Sequence, residues 1–502
     1  MFIESKLFKA VLSFSLRVIL AFILFIIPFI FLGVGNITAF IWIIGIEYGC
    51  NLIAFILSIS YQRSEAQSKI SWTILFILVP GGGAFIYFSG GMVPFWRKRK
   101  IKETELLENG LHNQINYAKN DKQLNKLFVD NYLIQNKPIT YNNKIDFIFQ
   151  GRNKFLQLFA DLEKAESFIN IQYFIMNDGI IFKQLEKILI KKQAEGVKIR
   201  ILTDQLGSIA TDDKTYDNLQ AHGIKFAQFN PVRLAIVTGY ANYRSHNKFV
   251  IIDNKIAYFG GLNIGDEYVG IVPKYGTWFD THLRAEGDIV DQMNRQFQLQ
   301  WRFTTGEVII NQEQNYPVLN ETLPIQLFTD GPQYNHSTML DNFITLLAGA
   351  KDKVIISSPY LVFPSFVLKA FDEAIKRGVK IEIITIGLAD KNTAYLASKY
   401  YAERLVRRGV KVYRMENIFN HSKFFLFDQE MAIVGTSNLD YRALYLHFET
   451  DLLIEDISTV NRLTEVFEEW KTLSYELTNS SKNWNIFDRI SFVFWKLFSP
   501  IL

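Results

Sequence analysis

Two histidines stand in the same local setting. His246-Asn247-Lys248 is followed by four apolar residues and Asp253, and His421-Ser422-Lys423 by four apolar residues and Asp428. Residues two apart share a face of an extended chain, so each imidazole is expected beside its own ammonium group. Such a pair suits a phosphate diester: the lysine holds the anionic oxygens while the histidine attacks or donates a proton. A covalent route needs two such histidines. One is the nucleophile, and the other protonates the leaving alkoxide and then deprotonates the incoming alcohol. Asp253 and Asp428 complete the two motifs and are counted with the catalytic set. Their parity is opposite, however, and they stand at expected hairpin turns, Asp253-Asn254 and Asp428-Gln429, so their reading is mainly structural. Asn263 and Asn438, three residues beyond Gly260 and Gly435, are placed to donate amide hydrogens to the same phosphate. His112, His222 and His336 lack this setting and are read as surface or hydrogen-bonded core residues. Lysines and asparagines stand where magnesium sites cluster carboxylates, so neither metal nor cofactor is expected.

The motifs lie inside a long internal repeat. Residues 195–202 read EGVKIRIL and residues 377–384 read RGVKIEII. Each follows an amphipathic helical stretch, 182–194 or 366–376, and before that an apolar, β-branched run, 168–173 or 353–360. Strand, helix, glycine turn, strand is the unit of an α/β protein. Farther on, Phe279-Asp280-Thr281 matches Phe448-Glu449-Thr450, and Trp301 and Trp470 follow at equal distances. The spacing predicts an α/β fold of two similar domains, 141–310 and 320–480, each a mixed sheet flanked by helices. Pairing them about a pseudo-twofold axis would bring both histidines to one site.

Composition divides the 502-residue chain sharply. The net charge of +4 is small for this length and points to no nucleic-acid partner. The single cysteine, Cys50, excludes an internal disulfide and a cysteine metal site, and is read as a small buried apolar residue. Apolar runs cover 18–34, 37–59 and 70–88, within a membrane anchor at 1–102, and a linker follows at 103–140. Glu47 interrupts the second run and is read as a tolerated polar residue within a helix bundle. The third run has Pro80-Gly81-Gly82-Gly83 at its centre. If it enters and returns there, all the basic clusters, including Arg97-Lys98-Arg99-Lys100, share the cytoplasmic face. A kinked full span is the alternative. The aromatic, apolar stretch 484–502 is expected to lie as an amphipathic segment at the membrane interface.

At the paired H-x-K-x4-D motifs the chain resembles the phospholipase D superfamily. Within it, NYRSHNK at 242–248, GGLNIGDEY at 260–268, WFDTHLRAEG at 278–287, GTSNLDYR at 435–442 and HFE at 447–449 resemble bacterial cardiolipin synthases. Arg63-Ser64, Trp72, Pro80 and Tyr87 follow the N-terminal pattern of the same family. The resemblance implies transfer of a phosphatidyl group between two phosphatidylglycerol molecules in the bilayer, releasing glycerol, through a phosphohistidine and without metal. It implies His246 as nucleophile and His421 as acid and base. Glu449 would orient His246 and Asp280 would orient His421, each from the opposite half. It also implies a multi-pass protein of the bacterial cell membrane, with monomer and homo-oligomer both open. An apolar run before the usual two and the sequence PYLVFP at 359–364 depart from the family pattern. The rival reading is a hydrolase of the same superfamily, or another phosphatidyltransferase. A catalytically dead scaffold would have let one motif decay.

Overall fold

The computed structural model describes residues 6–60, 66–91, 100–104, 124–126, 128–129, 138–231, 242–272, 276–309, 323–334, 336–388, 392–415 and 417–478, with a few isolated positions elsewhere. Two mixed sheets form the catalytic part. The first has seven strands in the order Asn143–Ile148, His282–Gly287, Ile256–Gly260, Phe249–Ile252, Phe168–Tyr173, Lys198–Asp204, Lys225–Phe229. The second repeats that order as Ile325–Asp330, Glu449–Glu455, Met431–Gly435, Phe424–Phe427, Lys353–Ser357, Lys380–Ile386, Lys411–Met415, with one further strand at each edge. In both, the first four pairings are antiparallel and the last two parallel.

Strands of unbroken apolar sequence require cover on both faces. Phe249, Ile251, Phe424 and Leu426 point into one core shared by the two halves. Val250 and Ile252 face the outer helices of the first half, and Phe425 and Phe427 those of the second. Helices Asp288–Thr305 and Ile457–Thr472 fill the shared layer with Phe297, Trp301, Phe467 and Trp470. Burying each such side chain is worth about 1.5–3 kcal/mol, so this layer binds the halves into one body. Within the expected linker, Ile139–Thr140 pairs at the edge of the second sheet and Phe128 is buried in that half's core.

Helices Lys6–Gly33 and Ile37–Ser60 are long and apolar enough to cross a membrane, with mean hydropathies of 2.7 over Ser15–Gly33 and 1.9 over Ile37–Ser60. On the second helix the buried stripe is Glu47, Asn51, Ala54 and Ser58, so polar and small groups face inward and isoleucines outward. Cys50 lies off that stripe and is exposed, against the expectation of burial. The third run folds as a hairpin of helix Ala66–Leu78, a turn, and helix Gly82–Ile86. On its return Tyr87 packs 5.1 Å from Trp72 and 5.6 Å from Phe76. Asn51 clamps the turn, donating to the carbonyls of Phe76 (2.5 Å) and Val79 (3.1 Å) and accepting from the Ala84 amide (2.9 Å). Glycine is required at the tip: a Cβ on Gly82 would lie 2.7 Å from the Ala21 carbonyl oxygen, and Gly81 has φ +63°. The hairpin ends against the first half, where the Tyr243 hydroxyl donates to the Gly91 carbonyl (3.4 Å).

Candidate active site

The site is assembled by two short pairings between the halves. The His246 amide donates to the Phe448 carbonyl (2.9 Å), and the Phe448 amide to the Arg244 carbonyl (2.9 Å). In the mirrored place Ile418–Asn420 runs parallel to Thr277–Phe279, and the His421 amide donates to the Phe279 carbonyl (2.8 Å). Each pairing ends beside the next residue of the other half. His246 Nδ1 therefore meets Glu449 Oε2 at 3.0 Å, and His421 Nδ1 meets Asp280 Oδ2 at 2.7 Å. Each Nδ1 is thus occupied from the opposite half, so Nε2 is the nitrogen left for the cavity; at His421 the Lys423 ammonium also stands 2.7 Å from Nδ1. Both histidines line one cavity of about 720 Å³ shared by the two halves.

Both H-x-K triplets lie in the extended lead-in to a strand, just before Phe249–Ile252 or Phe424–Phe427. Lys248 and Lys423 are fully buried, and each ammonium donates to the carbonyl of its own histidine. They stand behind the imidazoles, and neither is among the described residues lining the cavity. From there they put positive potential on both imidazoles. Asp253 and Asp428, counted with the catalytic residues, are at the opposite ends of these strands. Asp253 accepts from the amides of Glu166, Ser167 and Phe168 at 2.7–2.8 Å. Asp428 accepts from those of Lys351, Asp352 and Lys353. Both have φ of +53°, at the hairpin turns. They are clamps between strands, because odd spacing and the strand's length carry them away from the histidines.

Asn263 and Asn438 line the cavity. Asn263 is already engaged, with Oδ1 accepting from the Ile175 amide (3.1 Å) and Nδ2 donating to the Tyr268 hydroxyl (3.1 Å). Asn438 Oδ1 is buried without a partner, which leaves this amide the freer of the two to meet a ligand. His222 is exposed near a helix end and bonded to the Asn218 carbonyl, and His336 is also exposed. His112 lies outside the described residues.

Burial lowers His246 well below the ordinary imidazole range, and the charge of Lys248 adds to this. His421 falls to about 4 through burial and Lys423, against the opposing pull of Asp280. Lys248 is brought down to about 7, chiefly by burial. Burial works to raise Asp280, but Lys423 and His421 outweigh it and hold it below the usual carboxyl range. For Glu449 burial prevails and pushes the carboxyl well up. The site thus holds two neutral imidazoles. An arriving phosphate anion favours protonating one of them, which readies His421 as the acid while His246 stays neutral to attack.

Several site residues escaped the sequence reading. Arg244 forms a buried ion pair with Asp204 (2.8 Å), and Asp204 also accepts from the Ser245 amide (2.9 Å). His447 and Trp278 occupy matching places, two residues before each carboxylate. The His447 ring lies 5.5 Å from His246, and the Trp278 ring 5.2 Å from His421. The repeat alignment held this signal, since the motif carries different ring types at one position. His246, His447 and Glu449 offer ligand atoms within 4.8 Å of one another, a donor set that zinc accepts. Arg442 donates to His447 Nε2 (3.3 Å), and Lys248 raises the potential at His246 and Glu449. That field suits an anion better than a cation.

Two histidines, each braced by the other half's carboxylate between duplicated mixed sheets, define a phosphodiester-processing site of the phospholipase D type. Solved phosphatidylserine synthase of Haemophilus influenzae shares the fold, with a TM-score of 0.57 and 16% identity over 75% of this chain and 98% of that one. The family described as "Cardiolipin synthase, PLD-like domain" matches residues 158–301 and 343–471. The cardiolipin synthase of Oceanobacillus iheyensis is 32% identical over 87% of this chain and 94% of its own length. The major cardiolipin synthase ClsA of Bacillus subtilis is 31% identical over 85% and 92%. The chain belongs to the cardiolipin synthase family and is a phosphatidyltransferase.

Proposed function

We propose that the protein joins two phosphatidylglycerol molecules into cardiolipin and glycerol. The observation that carries this reading is the pair of cross-braced histidines facing one cavity. His246 Nε2 attacks phosphorus, the bond to the glycerol oxygen breaks, and His421 supplies the proton to that oxygen. A second phosphatidylglycerol then gives its hydroxyl proton to His421. Its oxygen bonds to phosphorus as the phosphorus–nitrogen bond to His246 breaks. Glu449 and Asp280 hold the imidazoles in the reacting tautomer, while Arg442 and Asn438 meet the phosphate. The helices support a membrane arrangement of two spans and a hairpin that enters and returns, and the basic clusters favour catalytic halves on the cytoplasmic side. The stretch 484–502 would lie at the interface. Of it, Ile486, Phe487, Ile490 and Phe494 are described and exposed, and the rest falls outside the described residues. The test is purified protein in mixed micelles with labelled phosphatidylglycerol, products resolved by mass spectrometry. Cardiolipin and glycerol in equal amounts are expected; phosphatidic acid as the main product would make the protein a hydrolase.

A further inference from the structure

The repeat that duplicates the histidines also places opposite charges at one equivalent position. The offset relating His246 to His421 and Asn263 to Asn438 relates Glu267 to Arg442. The backbone agrees: each is the second residue of a short helical turn, Asp266–Val269 or Tyr441–Tyr445. Both line the cavity. Arg442 contacts His447, which stands against His246. By the same relation Glu267 belongs to the His421 side, where its neighbour Tyr268 packs 4.7 Å from Trp278, the ring against His421. One side of the site therefore carries the Arg442 guanidinium with the Asp440 carboxylate near it, and the other is aromatic with the Glu267 carboxylate.

We propose that Glu267 is the headgroup-selecting residue, its carboxylate accepting hydrogen bonds from the hydroxyls of a glycerol headgroup on the His421 side. This rests on the phosphatidyl-transfer reading above. In-line displacement puts the leaving oxygen opposite the nucleophile. With His246 attacking, the headgroup points toward His421, and the incoming alcohol must later occupy the same place. In both, the part that lies there is a glycerol moiety with free hydroxyls, although the incoming one also carries its own anionic phosphate farther out. A carboxylate has only acceptors to offer, so it suits hydroxyl groups and repels an anionic headgroup. The side chain is held for this role: Glu267 Oε1 accepts from Asn177 Nδ2 at 3.1 Å. Gly265 leaves it room, because a Cβ there would stand 2.4 Å from Oε2. The anionic phosphate is left to the side of Arg442.

The experiment compares wild type, Glu267→Gln and Glu267→Asp, full length in mixed micelles. The donors are phosphatidylglycerol, phosphatidylethanolamine and phosphatidyl-p-nitrophenol, whose leaving group lacks hydroxyls. Glutamine can still accept from Asn177, and the aspartate variant guards against loss of fold. The ratio of kcat/KM for phosphatidylglycerol to that for the nitrophenyl donor should fall about tenfold in Glu267→Gln, mainly through KM, and less in Glu267→Asp. An unchanged ratio would overturn the proposal. So would a loss confined to phosphatidylethanolamine, which would make the carboxylate a reader of ammonium. Failure of the wild type to form cardiolipin would instead strike the transfer reading, since release of glycerol against nitrophenol still reports the headgroup subsite.

Discussion

His246 and His421 each present Nε2 to the cavity because Nδ1 is held by a carboxylate from the opposite half. Groups that act as a unit fail together. His246→Ala and His421→Ala should each lower turnover to near background, and the double variant should be no worse. A phosphatidyl-enzyme should accumulate in His421→Ala and be absent from His246→Ala; mass spectrometry of the quenched protein decides, and the reverse pattern would exchange the roles. Lys248, at about 7, loses its charge as pH rises through neutrality. The protonated form draws the anionic donor, so kcat/KM should decline on the alkaline side of that value. Lys248→Arg, which stays charged, should carry the decline to higher pH. Excess chelator should leave activity intact; loss restored by one divalent ion would make the His246, His447 and Glu449 cluster a required metal site. The histidines and lysines were legible because their spacing is local. The bracing of His246 by Glu449 came only through family resemblance, and the ion pair of Arg244 with Asp204 not at all. Such contacts form between distant segments, and no spacing within one strand encodes them.

At the scale of elements, the hairpin turns at Asp253 and Asp428 tie strand to strand. Removing the Asp253 carboxylate strands three amides, at a cost of about 3 kcal/mol. Asp253→Ala should therefore lower the melting temperature by roughly 6–12 °C, while the folded fraction keeps turnover close to wild type. A catalytic aspartate would give the opposite, a stable and inactive protein, and calorimetry beside an activity assay separates the two. Parity in the sequence already argued for this structural role, because an odd offset turns a side chain away. The sheets were legible from repeated apolar runs. The order of the strands and the anchoring of Ile139–Thr140 on the second sheet were not, since pairing partners lie far apart in the chain. In the membrane region Pro80 and its glycines suggested a turn, and packing explains why three are needed. Gly81, Gly82 and Gly83 sit against Glu47, Ala21 and Leu75 respectively, one approach for each neighbouring helix.

For the whole molecule, the proposed topology places the turn between the two long helices and the start of the catalytic part on opposite sides of the bilayer. In a Cys50→Ala background, Val34→Cys should react with an impermeant thiol reagent in intact cells, and Lys102→Cys should not. Labelling of both would remove the cytoplasmic placement. The duplication was plain in the sequence; that its halves exchange carboxylates is a property of their joint assembly, and one consequence reaches back in time. A single unfused copy of this domain would carry one histidine whose bracing carboxylate lies on another copy, and would complete this arrangement only as a symmetric pair of identical chains. In such an ancestor every substitution appeared twice, and the two walls of the site had to remain alike. Fusion lifted that constraint. A glutamate could then arise opposite an arginine, and a tryptophan opposite a histidine, so one lineage of residues could specialise in what departs and the other in what is held.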